Sequence, residues 1–305
     1  MIELDHVTKS YGARDSVNDV SFAVEKGAFC AIVGPSGSGK STTMRMINRL
    51  IEPSGGSIRI NGEDIARLPV EALRRRTGYA IQSVGLFPHW NVADNIATVP
   101  RLLKWPEERV QQRVEELLSL LQLDSAMRTK FPHQFSGGQQ QRIGVARALA
   151  ADPEVLLMDE PFGALDPITR ETLRVEISRI HRSTGKTILF VTHDIDEALQ
   201  LADTIALLRD GKLVQFGAPI ELLTQPANDF VRDFMGGSAL GLKLLALRHV
   251  GERVKPELVP GEPIAPETTL AEALSQMVLR RTSHLPVRGV GGSANGSIGL
   301  SDLVT

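Results

Sequence analysis

Residues Gly34-Pro35-Ser36-Gly37-Ser38-Gly39-Lys40-Ser41 constrain this chain more than any other stretch. They fit the pattern G-x-x-x-x-G-K-[ST]. Its glycines let backbone N–H groups wrap a phosphate, its lysine brings positive charge to the β/γ-phosphates, and its hydroxyl can reach Mg²⁺. Such a loop needs a buried strand before it and a helix after it, because a helix N-terminus favours anions. Both are expected here: Ala28-Phe29-Cys30-Ala31-Ile32-Val33 is a short apolar run, and Ser41 to Leu50 is helix-compatible. Taken alone, the motif fits either a Gly/Ser-rich turn or any of many nucleotide triphosphatases.

Bulk properties narrow the class. At 305 residues the chain has room for about two domains. Hydrophobic content of 42% and charged content of 23% are ordinary for a soluble globular protein. A net charge of −2 gives no basic stripe for nucleic acid, so none is expected as a partner. Cys30 is the single cysteine, which rules out an intrachain disulfide and suits a reducing cytosol. The start, Met1-Ile2-Glu3-Leu4-Asp5, lacks a signal-peptide layout, and no apolar run approaches the ~20 residues of a membrane span.

Period-two patterns at Ile2/Leu4, at Val20/Phe22/Val24 and at Ile58/Ile60 predict half-buried, antiparallel strands around the loop. From about 85 to 150 the pattern turns helical. Pro106 stands where a first helical residue would, and Val110, Val114, Leu117, Leu118 and Leu121 form one apolar stripe. Strand–helix alternation then resumes. Val155 to Met158 and Thr187 to Val191 read as buried strands, and Asp166-Pro167 as N-cap and first residue of a helix. Asp194 with Glu197 resembles a capping box, and Asp210-Gly211 turns a hairpin. The sum is a mostly parallel α/β core with an antiparallel region and a helical insertion. Past Phe234 the character changes. Gly236-Gly237-Ser238 breaks the chain, and a proline-bearing stretch leads to a second capping box at Thr269 and Glu272. A helix is expected after it, then a strand at His284-Leu285-Pro286-Val287, a turn over Gly291 to Gly296, and a last segment from Ile298 to Val304.

Five features follow the loop in a telling order. Gln82 ends a strand after Tyr79-Ala80-Ile81. Phe135-Ser136-Gly137-Gly138-Gln139-Gln140-Gln141-Arg142 precedes a helix. Asp159-Glu160 ends an apolar strand, Ala164-Leu165-Asp166 follows it, and His193 follows the next strand. Two adjacent acids at a buried strand end are costly without a role.

The set resembles the ATP-binding subunit of ABC transporters, over residues 1 to about 235. The resemblance implies a P-loop NTPase fold, with ATP and Mg²⁺ as cofactors. It implies that Tyr11 stacks on adenine with Val17 packing nearby. Gly34 to Ser41, with Thr42 and Lys40, would hold phosphates, and Ser41, Gln82 and Asp159 would surround Mg²⁺. Glu160 would be the general base for water and His193 would brace the γ-phosphate, with Gln82 beside them. Ser136, Gly137, Gly138 and Gln139 would form a signature loop that acts on the γ-phosphate of a second subunit. Asp166 would link the two sites of that homodimer.

Finer likenesses point to a class. Ser83 to Ile96, with Phe87-Pro88-His89-Trp90, occupies the segment that faces membrane subunits in the family. Gly78 to Pro100 and Asp159 to Arg170 look like ATPases of bacterial osmoprotectant importers for glycine betaine, choline or carnitine, most of all the Yeh/Osm branch. Expected partners are integral-membrane permease subunits and, indirectly, an extracytoplasmic solute-binding protein. The expected place is the cytoplasmic face of the plasma (inner) membrane, as a peripheral subunit. Residues 1–235 are expected as the ATP-binding domain, 236–259 as a linker, and 260–305 as a single α+β module resembling CBS domains. Such modules commonly pair, and Gly299 here replaces a hydroxyl residue of their ligand signature. The module is therefore read as one for packing or dimerisation, with regulation such as ionic-strength sensing as the alternative. An importer for another small solute, a soluble non-transport ABC ATPase and a regulatory ATP sensor are the competing readings.

Overall fold

The computed structural model describes residues 1–81, 85–163, 165–289 and 294–303. By internal contacts the chain divides into two compact units, Met1–Pro219 and Ile220–Thr305.

Two sheets organise the first unit. Strands β1 (Ile2–Tyr11), β2 (Arg14–Val24), β4 (Gly55–Ile60) and β5 (Glu63–Asp64) form an antiparallel sheet in the order β2-β1-β4-β5. The alternation expected at Ile2 and Leu4 is real: both are buried while Glu3 and Asp5 face out. The second sheet is built from β3 (Phe29–Val33), β6 (Thr77–Ala80), β7 (Val155–Asp159), β8 (Thr187–Val191), β9 (Thr204–Arg209) and β10 (Lys212–Gly217). Its order is β10-β9-β3-β8-β7-β6, parallel except where β10 returns on β9 through the Asp210-Gly211 turn. Strands β3, β7 and β8 are buried at every position, as strands covered on both faces must be. Leu4, Val20 and Phe22 of the first sheet share one apolar cluster with Ile32, Leu189 and Val191 of the second. Phe22 stacks on Phe216 at 5.6 Å between ring centroids. Cys30 lies inside this core with no accessible surface, and burial pushes its thiol up to about 12.

Helices α1 (Lys40–Ile47), α2 (Val70–Arg76), α3 (Val92–Leu102), α4 (Glu107–Leu120), α5 (Gly137–Leu149), α6 (Pro167–Thr184) and α7 (Ile195–Leu201) complete the unit. Helices α3, α4 and α5 are the helical insertion, and the apolar stripe of α4 is buried as its spacing predicts. Three local expectations shift. Pro106 is the N-cap of α4, one position before the helix. Helix α1 stops at Ile47, since Asn48 leaves the helical conformation and Arg49 takes a φ of 45°. Asp194 caps α7, but Glu197 does not reach back to close the box. Its side chain turns inward to Thr192.

The second unit holds α8 (Pro219–Thr224) beyond its first residue, then α9 (Asp229–Met235), α10 (Leu240–Leu247), α11 (Leu270–Arg280), β11 (His284–Arg288) and β12 (Ala294–Gly299). Strands β11 and β12 pair antiparallel. Strand β12 begins inside the stretch expected as a turn, and residues 290–293 and Val304 lie outside those described. The capping box at Thr269 and Glu272 is present in both directions. Leu270, Ala273 and Met277 of α11 form a separate core with Leu285, Val287 and Ile298. Residues 236–259, expected as a linker, join that core through Val250, and Lys255 bridges to Ser297. Helices α8 and α9, expected with the first domain, fall in the second unit. Among the described residues no helix is long and apolar enough to cross a membrane.

Candidate nucleotide site

Three adjacent parallel strands, β3, β8 and β7, end on the same edge of the second sheet, and each delivers part of the site just past its carboxyl end. That edge is where open α/β sheets form their ligand crevices. Strand β3 runs into Gly34–Gly39, β7 ends in Asp159-Glu160, and β8 leads to Thr192-His193. Main-chain bonds stitch the three together. Thr192 N donates to Ile32 O at 3.2 Å and Glu160 N to Val191 O at 3.0 Å.

Two of the loop's glycines, Gly34 and Gly39, are required by space. A Cβ at Gly34 would stand 2.1 Å from Leu208 O, and one at Gly39 would stand 2.5 Å from Ser16 O, both at positive φ. Ser38 and Lys40 are buried, while Pro35, Ser36 and Gly37 are open to solvent. Lys40 Nζ donates to Gly34 O at 2.8 Å and to Pro35 O at 2.9 Å. An ammonium has three N–H donors, so one is left for a phosphate while two hold the loop. Burial lowers the Lys40 pKa, opposed by the charges of Glu160 and Asp159. Ser38 Oγ is buried and makes no hydrogen bond, an orphaned polar atom in the hollow that a phosphate oxygen would satisfy. Thr42 Oγ1 lies 3.1 Å from Ser16 Oγ and fixes the first turn of α1 to β2.

Ser41 Oγ donates to Asp159 Oδ1 at 3.0 Å. Oxygens cis to one another in an octahedral Mg²⁺ shell stand about 3 Å apart, given bonds of about 2.1 Å. The pair is hard, oxygen-only and few in number, which fits an ion that keeps water and phosphate as its other ligands. Tyr79 OH donates to Asp159 Oδ2 at 3.4 Å and holds the carboxylate from the other side. Burial, then the Asp159 charge, pushes the Tyr79 phenol up to about 12.

Glu160 adopts φ 45°, rare for a residue with a side chain and costly unless its surroundings hold it there. This backbone turns the carboxylate to within 3.5 Å of His193 Nδ1. His193 is exposed, so the pair faces the opening of the crevice.

The other expected site residues stand differently. Ser136 is the N-cap of α5 and exchanges bonds with Gln139: Gln139 N donates to Ser136 Oγ at 3.3 Å, and Ser136 N to Gln139 Oε1 at 3.1 Å. Ser136 and Gly137 are exposed, while Gly138 is pressed against α6. Asp166 caps α6 by accepting from Ile168 N and Thr169 N, and bonding to Thr169 holds its carboxyl below the usual range. Tyr11 is 56% exposed, with Lys9 Nζ 5.1 Å from its ring centroid. Val17 has no accessible surface and packs under Gly39, so it supports the loop from beneath. Gln82 and Ala164 lie outside the described residues.

Sequence reasoning missed Tyr79, whose strand position carried the only signal. It also missed Thr169, Arg170 and Glu197, which matter through contacts between elements distant in sequence.

Known proteins match this arrangement. The family described as ABC transporter matches residues 17–163. The "Glycine betaine uptake system ATP-binding protein YehX" of Escherichia coli K12 is 57% identical over 305 residues, spanning 100% of this chain and 99% of that protein. The "Glycine betaine/carnitine/choline transport ATP-binding protein OpuCA" of Bacillus subtilis is 49% identical, over 94% of this chain and 75% of its own length. Among solved structures, the ATP-binding cassette MJ0796, a dimer in a post-hydrolysis state bound to ADP and Pi, superposes with a TM-score of 0.65 at 33% identity. It covers 72% of this chain and 98% of that one. With 57% identity to such a relative along its whole length, this chain belongs to the ATP-binding protein family of ABC transporters.

Proposed function

We propose that this ABC ATPase is the motor subunit of an importer for osmoprotectants such as glycine betaine, with two copies closing on two ATP molecules to drive a membrane permease. The observation that carries hydrolysis is the Ser41–Asp159 pair beside the Glu160–His193 pair, at the ends of three adjacent strands. The solute class rests on the likeness to the glycine betaine protein YehX over its whole length and to OpuCA over three quarters of its length.

The residues take these roles. Lys40 and the amides of Gly34 to Ser41 hold the phosphates, with Ser38 Oγ and Thr42 completing the cradle. Ser41 and Asp159, with Gln82, would hold Mg²⁺, which would supply charge neutralisation at the transferred phosphoryl group. Tyr79 keeps the Asp159 carboxylate aimed. Glu160 accepts the proton of the attacking water, and His193 bonds the γ-phosphate and steadies that water. Tyr11 stacks on adenine, its open ring suiting that use. Ser136, Gly137, Gly138 and Gln139 present the N-terminus of α5 to the γ-phosphate on the partner subunit, and Asp166 stands between the two sites. Phosphoryl transfer needs mainly positioning and charge neutralisation, and these groups supply both.

Permease docking is supported by the apolar groove along α3. Phe87 and Trp90 pack at 4.5 Å, with Leu102 exposed beside them. A place at the cytoplasmic face of the membrane and an extracytoplasmic solute-binding protein follow from the importer reading.

We propose an ATP-binding domain over 1–235 and a CBS-like module over 260–305 whose core also takes in Val250 of the 236–259 stretch, with packing or dimerisation as its role. Asp302, the acid of the CBS-type ligand signature, is already engaged: Gly299 N donates to it at 2.8 Å and Lys255 Nζ pairs with it at 2.5 Å. A side chain at Gly299 would start 2.9 Å from the His284 ring.

The test is reconstitution with candidate permease subunits of the proposed importer. Stimulation of ATPase by glycine betaine, choline or carnitine is expected. Stimulation only by an amino acid or an unrelated amine would move the solute class to the alternative importer reading.

A further inference from the structure

The chain contains a charged linkage between the Leu165-Asp166 loop and the turn that carries His193. Arg170, in the first turn of α6, donates from Nη2 to Leu165 O at 3.2 Å. Its Nη1 lies 3.7 Å from Asp194 Oδ2, and its Nε 3.9 Å from Glu197 Oε1. Asp194 and Glu197 flank the start of α7, directly after His193. Glu197 is 5% exposed and accepts from Thr192 Oγ1 at 2.5 Å, and Thr192 Oγ1 accepts in turn from Asp194 N at 3.0 Å. His193 is therefore held on both sides, by Thr192 and Asp194, in a network whose one cation belongs to α6.

We propose that Arg170 is a positioning residue for His193, tying it through Asp194 and Glu197 to the loop that ends in Asp166. The inference rests on the assignment of His193 and Glu160 to hydrolysis made above. The carboxylates of Asp194 and Glu197 converge on one guanidinium as charge contacts at 3.7 and 3.9 Å, while its Nη2 donates to Leu165 O and its buried Nε makes no hydrogen bond. Burial raises the Glu197 pKa, opposed first by the Thr192 hydrogen bond and less by the Arg170 charge. Without Arg170, the turn between β8 and α7 keeps its helix cap but loses its tether to α6. The His193 ring, exposed and 3.5 Å from Glu160 Oε2, is then free to leave the geometry its reaction needs. Misplacement of about 1 Å in a catalytic group can lower a rate by orders of magnitude. The same tether gives the Asp166 loop a means of setting His193: movement of that loop when two copies meet would be felt at the γ-phosphate.

The experiment is single-turnover ATP hydrolysis by the full chain in four forms: wild type, Arg170→Ala, His193→Ala and the double variant, with nucleotide affinity measured for each. Arg170→Ala is expected to lower the single-turnover rate constant roughly tenfold or more at unchanged ATP affinity, and to add nothing once His193 is gone, since groups acting as a unit are non-additive. Arg170→Lys, which keeps the charge, should recover part of the rate. An equal further loss in the His193→Ala background would overturn the proposal, because a residue that merely stabilises the fold acts in both backgrounds. An unchanged rate in Arg170→Ala would overturn it too. Full activity in His193→Ala would instead remove the reading on which it rests. If Arg170→Ala unfolds, the same comparison is made with Arg170→Lys and Glu197→Gln.

Discussion

A methyl group added at Gly138 would stand 2.1 Å from Thr169 Cγ2, at the contact where α5 meets α6. Gly138 does not need an unusual backbone, so the reason for glycine is this approach alone. Gly138→Ala is therefore expected to destabilise by about 1–3 kcal/mol, the cost of overpacking a tight contact. Thr169→Ser in the same chain removes the Cγ2 and should restore most of the loss. Thermal melting of the single and double variants checks it, and a Gly138→Ala chain that melts like wild type would refute the contact. At this scale the sequence was legible where one motif holds all the chemistry. Lys40 and Ser41 sit inside a contiguous pattern, and Asp159-Glu160 announce themselves as adjacent acids ending an apolar strand. Thr169, Arg170 and Tyr79 were not legible, because each acts on a residue far along the chain and no local pattern marks such a pairing.

Helices α5 and α6 are joined by a second device. Arg142 Nε lies 3.0 Å from Glu176 Oε2, and the Glu176 side chain is 2% exposed. Removing one partner of a buried pair leaves an uncompensated charge, so Arg142→Ala should cost about 3–5 kcal/mol in urea unfolding. The pH dependence has a definite sign. Burial raises the Glu176 pKa and Arg142 opposes that rise. A raised carboxyl gives stability that is complete below the unfolded value near 4.3 and lost as pH climbs through the folded value. Without Arg142 the folded value rises further, so the deficit of Arg142→Ala should be larger at pH 8 than at pH 5. A deficit that does not change with pH would show that Glu176 is not the group left unpaired. Elements themselves were well marked by sequence: the caps at Asp166 and Thr269 begin α6 and α11. Where a cap was misread the cause is burial. Glu197 has the capping-box spacing, yet the interior hydroxyl of Thr192 is the better partner for it.

For the whole molecule, the mostly parallel core with its antiparallel region, the helical insertion and a distinct C-terminal unit all followed from periodicity and motif spacing, while the order of strands in the sheets did not. The limits of the second unit did not, because Val250 and Lys255 lie in a stretch with no period to read and are recruited by β12 and α11 only in three dimensions. The same holds for the site's other half. Within one chain the bonds of Ser136 and Gln139 stay inside their own capping box, and Gly138 touches α6. On the proposed reading these residues complete the site of a second copy, so the isolated protomer should be inactive. The most direct measurement is ATP turnover together with molar mass by light scattering for the full chain carrying Glu160→Gln, with Mg²⁺ and ATP present. The account predicts ATP bound, turnover abolished and a stable dimer that dissociates when nucleotide is removed. Hydrolysis at the wild-type rate, or a monomer that binds ATP and never pairs, would contradict it.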